Sequence, residues 1–365
     1  MNVVIVNCFE PYESRVDLLF RFFKDKGDNV KVITSNFCHI DKTFRKGTRE
    51  DFTYLEAKPY YRNISFKRLY SHWDFAGKVV GVLPDYKPDL IYALIPPNSL
   101  VKEISKYKIK NPKVKVVFDL IDLWPETMPA PDLAKDILLA PWGKIRNDYL
   151  KAADYVVTEC DLYRERLSKW LDMSKTKTVY LARKCREIHI QTYPKADKIS
   201  LCYLGSINNI VDIAAIGDIV ERLGRSKKVE LHIIGYGENH ENLIRTAEEK
   251  GANVIDHGQM YDVQKKQEVF NQCDYGLNIM KSSVCVGLTM KSVDYFESGL
   301  PIINNIKGDT WKFVETQGIG VNWSAGQELR LTDIDKKHVR AFFEEHFTEE
   351  VFSEQMEEVY TTCLA

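Results

Sequence analysis

The sequence predicts an α/β protein built as two parallel-sheet halves. Three observations carry this. Short apolar runs alternate with amphipathic helical stretches along most of the chain. The runs are continuous rather than alternating, the pattern of strands buried on both faces of a parallel sheet. A polar stretch over residues 183–198, with Pro194 and no clean period, separates two such series. The length of 365 residues suits about two domains.

The first series opens with the apolar run 3–6 and a loop at Pro11. Residues 15–26 predict a helix with Leu18, Leu19, Phe22 and Phe23 on one face, and Gly27 stops it. Strands follow at 30–34, at 89–95 after Pro88, and at 114–120, 155–158 and 178–181. The second series has strands at 199–204, 229–234, 253–255, 275–279 and 302–304. Its helices start at Ile210, Asn239, Met290 and Asp309, with a further one running through Val269. From Lys336 the chain is helical and acidic, with seven Glu between 344 and 358.

Composition narrows the function classes. Hydrophobic residues are 44% and charged residues 28%, enough to bury a core. The net charge of −1 argues against a nucleic-acid binder driven by bulk charge. The opening apolar run stops after four residues without a basic flank, so no signal peptide is expected. No stretch approaches the ~20 apolar residues of a membrane span. The eight cysteines are scattered and none forms a CxxC pair, so reduced intracellular thiols are expected, with no disulfide framework and no zinc site. The total charge hides an asymmetry. Residues 1–186 carry 33 Lys and Arg against 24 Asp and Glu, a net +9, and the remainder carries −10.

The most informative stretch runs from Val286 through Gly287, Leu288, Thr289, Met290 and Lys291 to Asp294, then to Gly299-Leu300-Pro301. A loop of small residues enters a helix whose first amides are unpaired and whose dipole is positive, a setting for phosphate. Lys291 adds a cation in the first turn. Asp294, one turn on, can accept from ribose hydroxyls. An ordinary amphipathic helix with solvated charges is the competing reading. Glycine turns follow three strands: Gly205-Ser206, then Gly235-Tyr236-Gly237-Glu238, then Gly258-Gln259-Met260-Tyr261. In a parallel sheet all fall at the carboxyl edge, where ligands bind. The second lacks the full dinucleotide fingerprint.

In the first half, Asp119, Asp122 and Glu126 sit at one strand end, where a carboxylate can bind or deprotonate an acceptor hydroxyl. Helix capping and loop solvation compete for each. His72 and His232 are expected to be structural. Basic residues cluster at Lys42, Arg45, Lys46 and Arg49, at Arg62, Lys67 and Arg68, and between Lys102 and Lys115. Tyr60, Tyr61 and Trp73 are interleaved, a mixture that suits an anionic membrane surface, with a solvated face as the bland alternative.

On these residues the chain resembles GT-B glycosyltransferases, in particular glycosyltransferase family 4 members of bacterial capsule, O-antigen and exopolysaccharide synthesis. The Asp119 to Glu126 segment resembles the family's D-x-H-D-L-W-P-E strand end. The Gly287 to Pro301 segment resembles its G-x-P-x-K-x-x-E-Y-x-x-x-G-x-P donor loop and helix. The resemblance implies two Rossmann-like domains facing across a cleft: 1–186 for the acceptor, 187–347 for the nucleotide sugar, and a helix at 348–365 packing back on the first. It implies that Gly287, Leu288, Thr289 and Met290 cradle the donor diphosphate beside Lys291, with Gly205 and Ser206 bordering it and the Gly235 turn on the same edge. Asp294 would bind ribose, and Gly258, Met260 and Tyr261 would line the base. Asp119 or Asp122 would serve the acceptor hydroxyl.

Four features depart from the family: its signature histidine falls on Ile121, the first of its paired glutamates falls on Val286, the basic pair after the first strand of the second half is absent, and the glycine pair after strand one is replaced by Cys8-Phe9-Glu10-Pro11-Tyr12. The expected function is transfer from a UDP-linked sugar to a lipid-linked or oligosaccharide acceptor, by a hexosyltransferase without a metal or permanently bound cofactor. The expected location is the cytoplasm, on the inner face of the plasma membrane. A non-catalytic partner subunit and a GT-B nucleotide-sugar epimerase are the alternatives.

Overall fold

The structure, a computed structural model, describes residues 1–62, 65–128, 139–191 and 197–364. Pro194, expected in the connection between the halves, lies outside the described residues. The chain separates into two compact units, Met1–Ala182 with Phe352–Ala365, and Arg183–Val351. These changes fall a few residues from the 186/187 and 347/348 boundaries read from the sequence.

The first unit contains β1 (Asn2–Asn7), β2 (Asn29–Ser35), β3 (Phe37–Cys38), β4 (Thr43–Phe44), β5 (Phe52–Leu55), β6 (Leu90–Ile95), β7 (Lys115–Leu120), β8 (Tyr155–Thr158) and β9 (Thr176–Thr178). Seven of them form a parallel sheet in the order β5-β2-β1-β6-β7-β8-β9, and β3 and β4 make a small antiparallel hairpin. The Val3–Val6 stretch (β1) is central: Val3 lies between Val30 of β2 and Leu90 of β6. Its β-branched side chains are buried on both faces, as a doubly covered sheet demands. The helix Glu13–Asp25 lays Val16, Leu19, Phe22 and Phe23 on this sheet. Gly27, at φ +78°, turns the chain back into β2. The last helix, Glu349–Leu364, adds Phe352, Met356, Val359 and Cys363 to the same core. Their spacing of four, three and four makes one helical stripe.

The second unit repeats the plan with β10 (Lys198–Leu204), β11 (Lys228–Ile234), β12 (Ala252–Asp256), β13 (Tyr275–Asn278), β14 (Ile302–Asn304) and β15 (Gly320–Asn322). The order is β12-β11-β10-β13-β14-β15, all parallel. Strand order reverses between β1 and β6 in the first unit and between β10 and β13 in the second. Each reversal opens the crevice at the carboxyl edge where such sheets take ligands.

The elements differ from the sequence reading in places. The strand expected at 178–181 is Thr176–Thr178, because Arg15 takes the carbonyls of Val179 and Tyr180 and draws the chain off the ladder. The helix expected from Ile210 begins at Ile213, where the Asp212 carboxylate accepts from the Ala215 amide. The half-buried edge strands β5 and β15, the β3–β4 hairpin and the helix Phe66–Tyr86 were not read from the sequence.

One polar contact sits inside the first core. Asp119 on β7 is fully buried and accepts from Arg15 Nε at 2.6 Å and Nη2 at 3.0 Å. The Tyr92 hydroxyl donates to it at 2.9 Å. Losing one partner strands a charge in the core. Asp119→Asn is expected to lower stability by about 3–5 kcal/mol, read as a shifted urea midpoint.

Candidate functional site

The three glycine turns of the second unit are stitched to one another through backbone. The Gly205 amide donates to the Ile234 carbonyl at 2.8 Å, and the Gly235 amide donates to the Gly258 carbonyl at 2.8 Å. A Cβ on Gly235 would lie 2.0 Å from the Gly205 carbonyl oxygen, and one on Gly237 2.4 Å from that of Ile207. Only glycine permits this approach, which brings the ends of β10, β11 and β12 together beside the β10/β13 reversal.

The helix Met290–Glu297 is anchored at its start. Thr289 caps it: its hydroxyl oxygen accepts from the Ser292 amide at 3.1 Å, and the Ser292 hydroxyl oxygen accepts from the Thr289 amide. The Thr289 hydroxyl donates to the Asn278 side chain at 2.8 Å, tying the cap to the end of β13. Gly287 is held by the Thr310 amide and hydroxyl, which donate to its carbonyl. Gly287, Leu288 and Thr289 are buried, whereas Met290 is exposed. Since Thr289 spends its side chain on the cap, what this loop can offer an anion is backbone. Met290 and Lys291, at the first two helical positions, have amides with no intrahelical partner.

Lys291 is the cation beside them. Its Nζ donates to the Tyr203 hydroxyl at 3.1 Å and lies 4.3 Å from the centre of that ring. Tyr203, on β10, donates its own proton to the Ser206 carbonyl at 2.9 Å. Among the described residues no carboxylate ion-pairs with Lys291. Burial without a counter-charge pushes its pKa down to about 7. A cation held this way is short of an anion.

Asp294, one turn on, is partly exposed, and Arg183 Nε lies 3.4 Å from it. Glu297, a further turn along, was missed by the sequence reading. It is buried, its Oε1 has no hydrogen-bond partner among the described residues, and burial raises its pKa. A second acid on the donor-helix face at i+3 from Asp294 was the signal for it. Gly258 takes φ +62° and its amide donates to Asp256 Oδ1 at 3.0 Å. Met260 is partly exposed and Tyr261 largely exposed. Behind this turn His232 and His257 stack, with His232 Nδ1 3.0 Å from His257 Nε2, so the buried His232 meets a partly exposed partner just past β12.

In the first unit the three acids at the end of β7 part company. Asp119 is closed in the ion pair with Arg15. Glu126 pairs with buried Arg146 at 2.7 Å. Asp122 is partly exposed and accepts from Trp124 Nε1 at 2.6 Å, from the Thr127 hydroxyl and, at 3.5 Å, from Tyr12. Desolvation outweighs these donors and raises its pKa. His72 is buried, stacks on Trp124 and is held neutral by burial. Ile121, in the place of the family histidine, belongs to the hydrophobic core. No group of three or more His, Cys, Asp and Glu arranged to hold a metal occurs among the described residues.

No protein-family model matches the chain, and no curated protein matches it by sequence. Solved structures do match. The lipopolysaccharide outer core galactosyltransferase WaaB, in its apo form, superposes with a TM-score of 0.70 at 14% identity, over 99% of both chains. HepE of Anabaena, in complex with UDP and glucose, gives 0.66 at 13% identity over 99% of both. Sucrose-phosphate synthase of Thermosynechococcus elongatus gives 0.65 at 11% identity, over 99% of this chain and 98% of that one. The fold is therefore that of the GT-B glycosyltransferases, two parallel-sheet α/β units spanning the whole chain.

The glycine contact carries its own test. Gly235→Ala is expected to lower stability by about 2–4 kcal/mol, measured by urea unfolding, because its neighbour is a carbonyl that cannot swing away.

Proposed function

We propose that the chain is a glycosyltransferase that takes its sugar from a nucleoside diphosphate sugar, UDP-linked, and delivers it to a glycan or lipid-linked acceptor in surface polysaccharide synthesis. The observation that carries this reading is Lys291: a partly buried cation with no carboxylate partner among the described residues, in the first turn of a helix, beside glycine turns at a sheet reversal. That is the equipment for a diphosphate. The fold's occurrence in Anabaena HepE, solved with UDP and with UDP-glucose, supports the choice of nucleotide.

In this reading the amides of Met290 and Lys291, with the Lys291 ammonium, hold the diphosphate and stabilise the charge that grows on it as the sugar leaves. The Gly287-Leu288-Thr289 loop and the Gly205-Ser206 and Gly235 turns border it. Asp294, steadied by Arg183, takes ribose hydroxyls, and the Gly258-Gln259-Met260-Tyr261 turn lies along the base. The acceptor oxygen forms the new bond to the anomeric carbon, the bond from that carbon to the diphosphate oxygen breaks, and the acceptor proton passes to a base. Asp122 is the base we assign, because its pKa is raised and it is partly exposed. Asp119 is excluded from the role by its ion pair.

The non-catalytic reading is favoured by one observation: the family histidine position is core Ile121. A panel of nucleotide sugars assayed for nucleotide release, with membrane extract as acceptor, separates the two. Asp122→Asn is expected to cut turnover about 10²-fold or more while leaving UDP affinity unchanged in calorimetry. Release of nucleotide at the wild-type rate by this variant would remove Asp122 from the mechanism.

The pH dependence of donor binding has a definite sign. The bound diphosphate favours the charged ammonium and raises the Lys291 pKa above its free value of about 7. Below pH 7 the lysine is already charged and affinity is level. Above it, binding takes up a proton, and affinity falls by up to about tenfold per pH unit. UDP-glucose is the right probe, since its diphosphate does not itself titrate in this range. Calorimetry in buffers of different ionisation enthalpy should register the proton, and Lys291→Met should abolish it.

A further inference from the structure

We infer that Asn278, Asn304 and Asn322 are positioning residues: their side chains form one hydrogen-bonded row that sets the start of the helix Met290–Glu297 through Thr289. For its ligand this inference rests on the diphosphate reading above. β13, β14 and β15 each end on an asparagine. The three are direct register partners, Asn278 with Asn304 and Asn304 with Asn322. Neighbouring strands stand about 4.8 Å apart, a gap that a carboxamide can bridge. Asn278 Nδ2 donates to Asn304 Oδ1 at 2.9 Å, and Asn304 Nδ2 donates to Asn322 Oδ1 at 2.8 Å. Asn322 Nδ2 ends the row on the Trp311 carbonyl at 2.9 Å. Asn278 and Asn304 have no solvent exposure, so they are not the solvated turn formers that asparagine at a strand end commonly is. Burying neighbouring amides is costly unless each is paired, and here each is.

The row has one direction, and the Trp311 carbonyl fixes it. A carbonyl only accepts, so Asn322 presents Nδ2 to Trp311 and Oδ1 to Asn304. Asn304 is pinned the same way, since its Nδ2 also donates to the Ile306 carbonyl at 3.1 Å. Asn278 is thereby left with its buried Oδ1 as the open end. The Thr289 hydroxyl donates to it at 2.8 Å, closer than the alternative acceptor, the Ser292 hydroxyl oxygen at 3.0 Å. With its proton committed there, the Thr289 oxygen turns lone pairs to the helix and accepts from the Ser292 amide. The far end of the row reaches the same loop. Trp311 lies in the helix Asp309–Gln317, and its neighbour Thr310 holds the Gly287 carbonyl with its amide at 2.9 Å and its hydroxyl at 2.7 Å. The row therefore clamps the Gly287-Leu288-Thr289 loop at both ends, directly before the amides of Met290 and Lys291. Hydrogen bonds in series polarise one another, so a break at Asn322 is felt at Thr289.

The test uses the full chain and two measurements: hydrogen exchange of the segment 287–297 by mass spectrometry, and UDP-glucose binding by calorimetry. Asn322 is the position to change, because it is half-buried on the edge strand and farthest along the row from Thr289. Asn322→Ala is expected to speed exchange in that segment and to weaken UDP-glucose binding, each by about three- to tenfold. A thermal melt shows that the variant folds. Asn322→Asp, which keeps the shape but removes the hydrogen to Trp311, repeats the test where the alanine variant does not fold. Thr289→Val cuts the row at its last link, so adding Asn322→Ala to it should change neither measurement further. In Thr289→Ser, which keeps the hydroxyl, the Asn322→Ala effect should return. A merely structural role would lower the melting temperature and leave the effects additive. Unchanged exchange in the Asn322 variants, or full additivity with Thr289→Val, overturns the proposal. Exchange needs no ligand, so a wild-type chain that binds no UDP-glucose removes the diphosphate reading alone, and the exchange result still decides the row.

Discussion

The contact of Gly235 with the Gly205 carbonyl is the constraint on which the second unit's site depends. The two strand ends meet backbone to backbone because Gly235 carries no Cβ; one there would lie 2.0 Å from the Gly205 carbonyl oxygen. With that contact made, the β10, β11 and β12 turns join through the amides of Gly205 and Gly235. The β10 turn places the Ser206 carbonyl where it orients the Tyr203 hydroxyl, and that hydroxyl receives Lys291. A lysine thus sits in partly desolvated surroundings with no acid among the described residues to neutralise it. Its lowered pKa is a consequence of that geometry.

The first unit shows how burial sorts residues that are alike as letters. Asp119, Asp122 and Glu126 fall within eight residues. Asp119 points into the sheet and meets Arg15 from a helix a hundred residues earlier. Glu126 meets Arg146 from a helix downstream. Asp122 keeps an open side and a raised pKa. The basic residues divide in the same way: Lys106 and Lys108 have carboxylate partners, whereas Arg62 and Lys67 face solvent.

The alternation of strands and helices, the two-unit plan and the glycine edge were legible because they rest on local pattern. A short continuous apolar run bounded by turn residues fits a strand covered on both sides, and a glycine at a strand end marks a turn. The elements that escaped, such as β5, β15 and the β3–β4 hairpin, are short and partly or wholly exposed, so their side chains carry no sharp period. Glu297 escaped because its neighbours are Arg183, Arg186 and Arg340, which come from distant points of the sequence.

By itself the sequence determined the class of architecture, two parallel sheets wound from strand–helix repeats, and it supplied the residues we propose for a diphosphate. Periodicity and residue type suffice for that, because backbone hydrogen bonding and apolar burial act on neighbours along the chain. Only the tertiary structure decided which of the acids is buried in an ion pair and which is open, which lysine lacks a counter-charge, and which aromatics stand in solvent. Those properties are set by desolvation and by charges brought together from far apart, and a pKa or an exposure has no value until the chain has closed around the group.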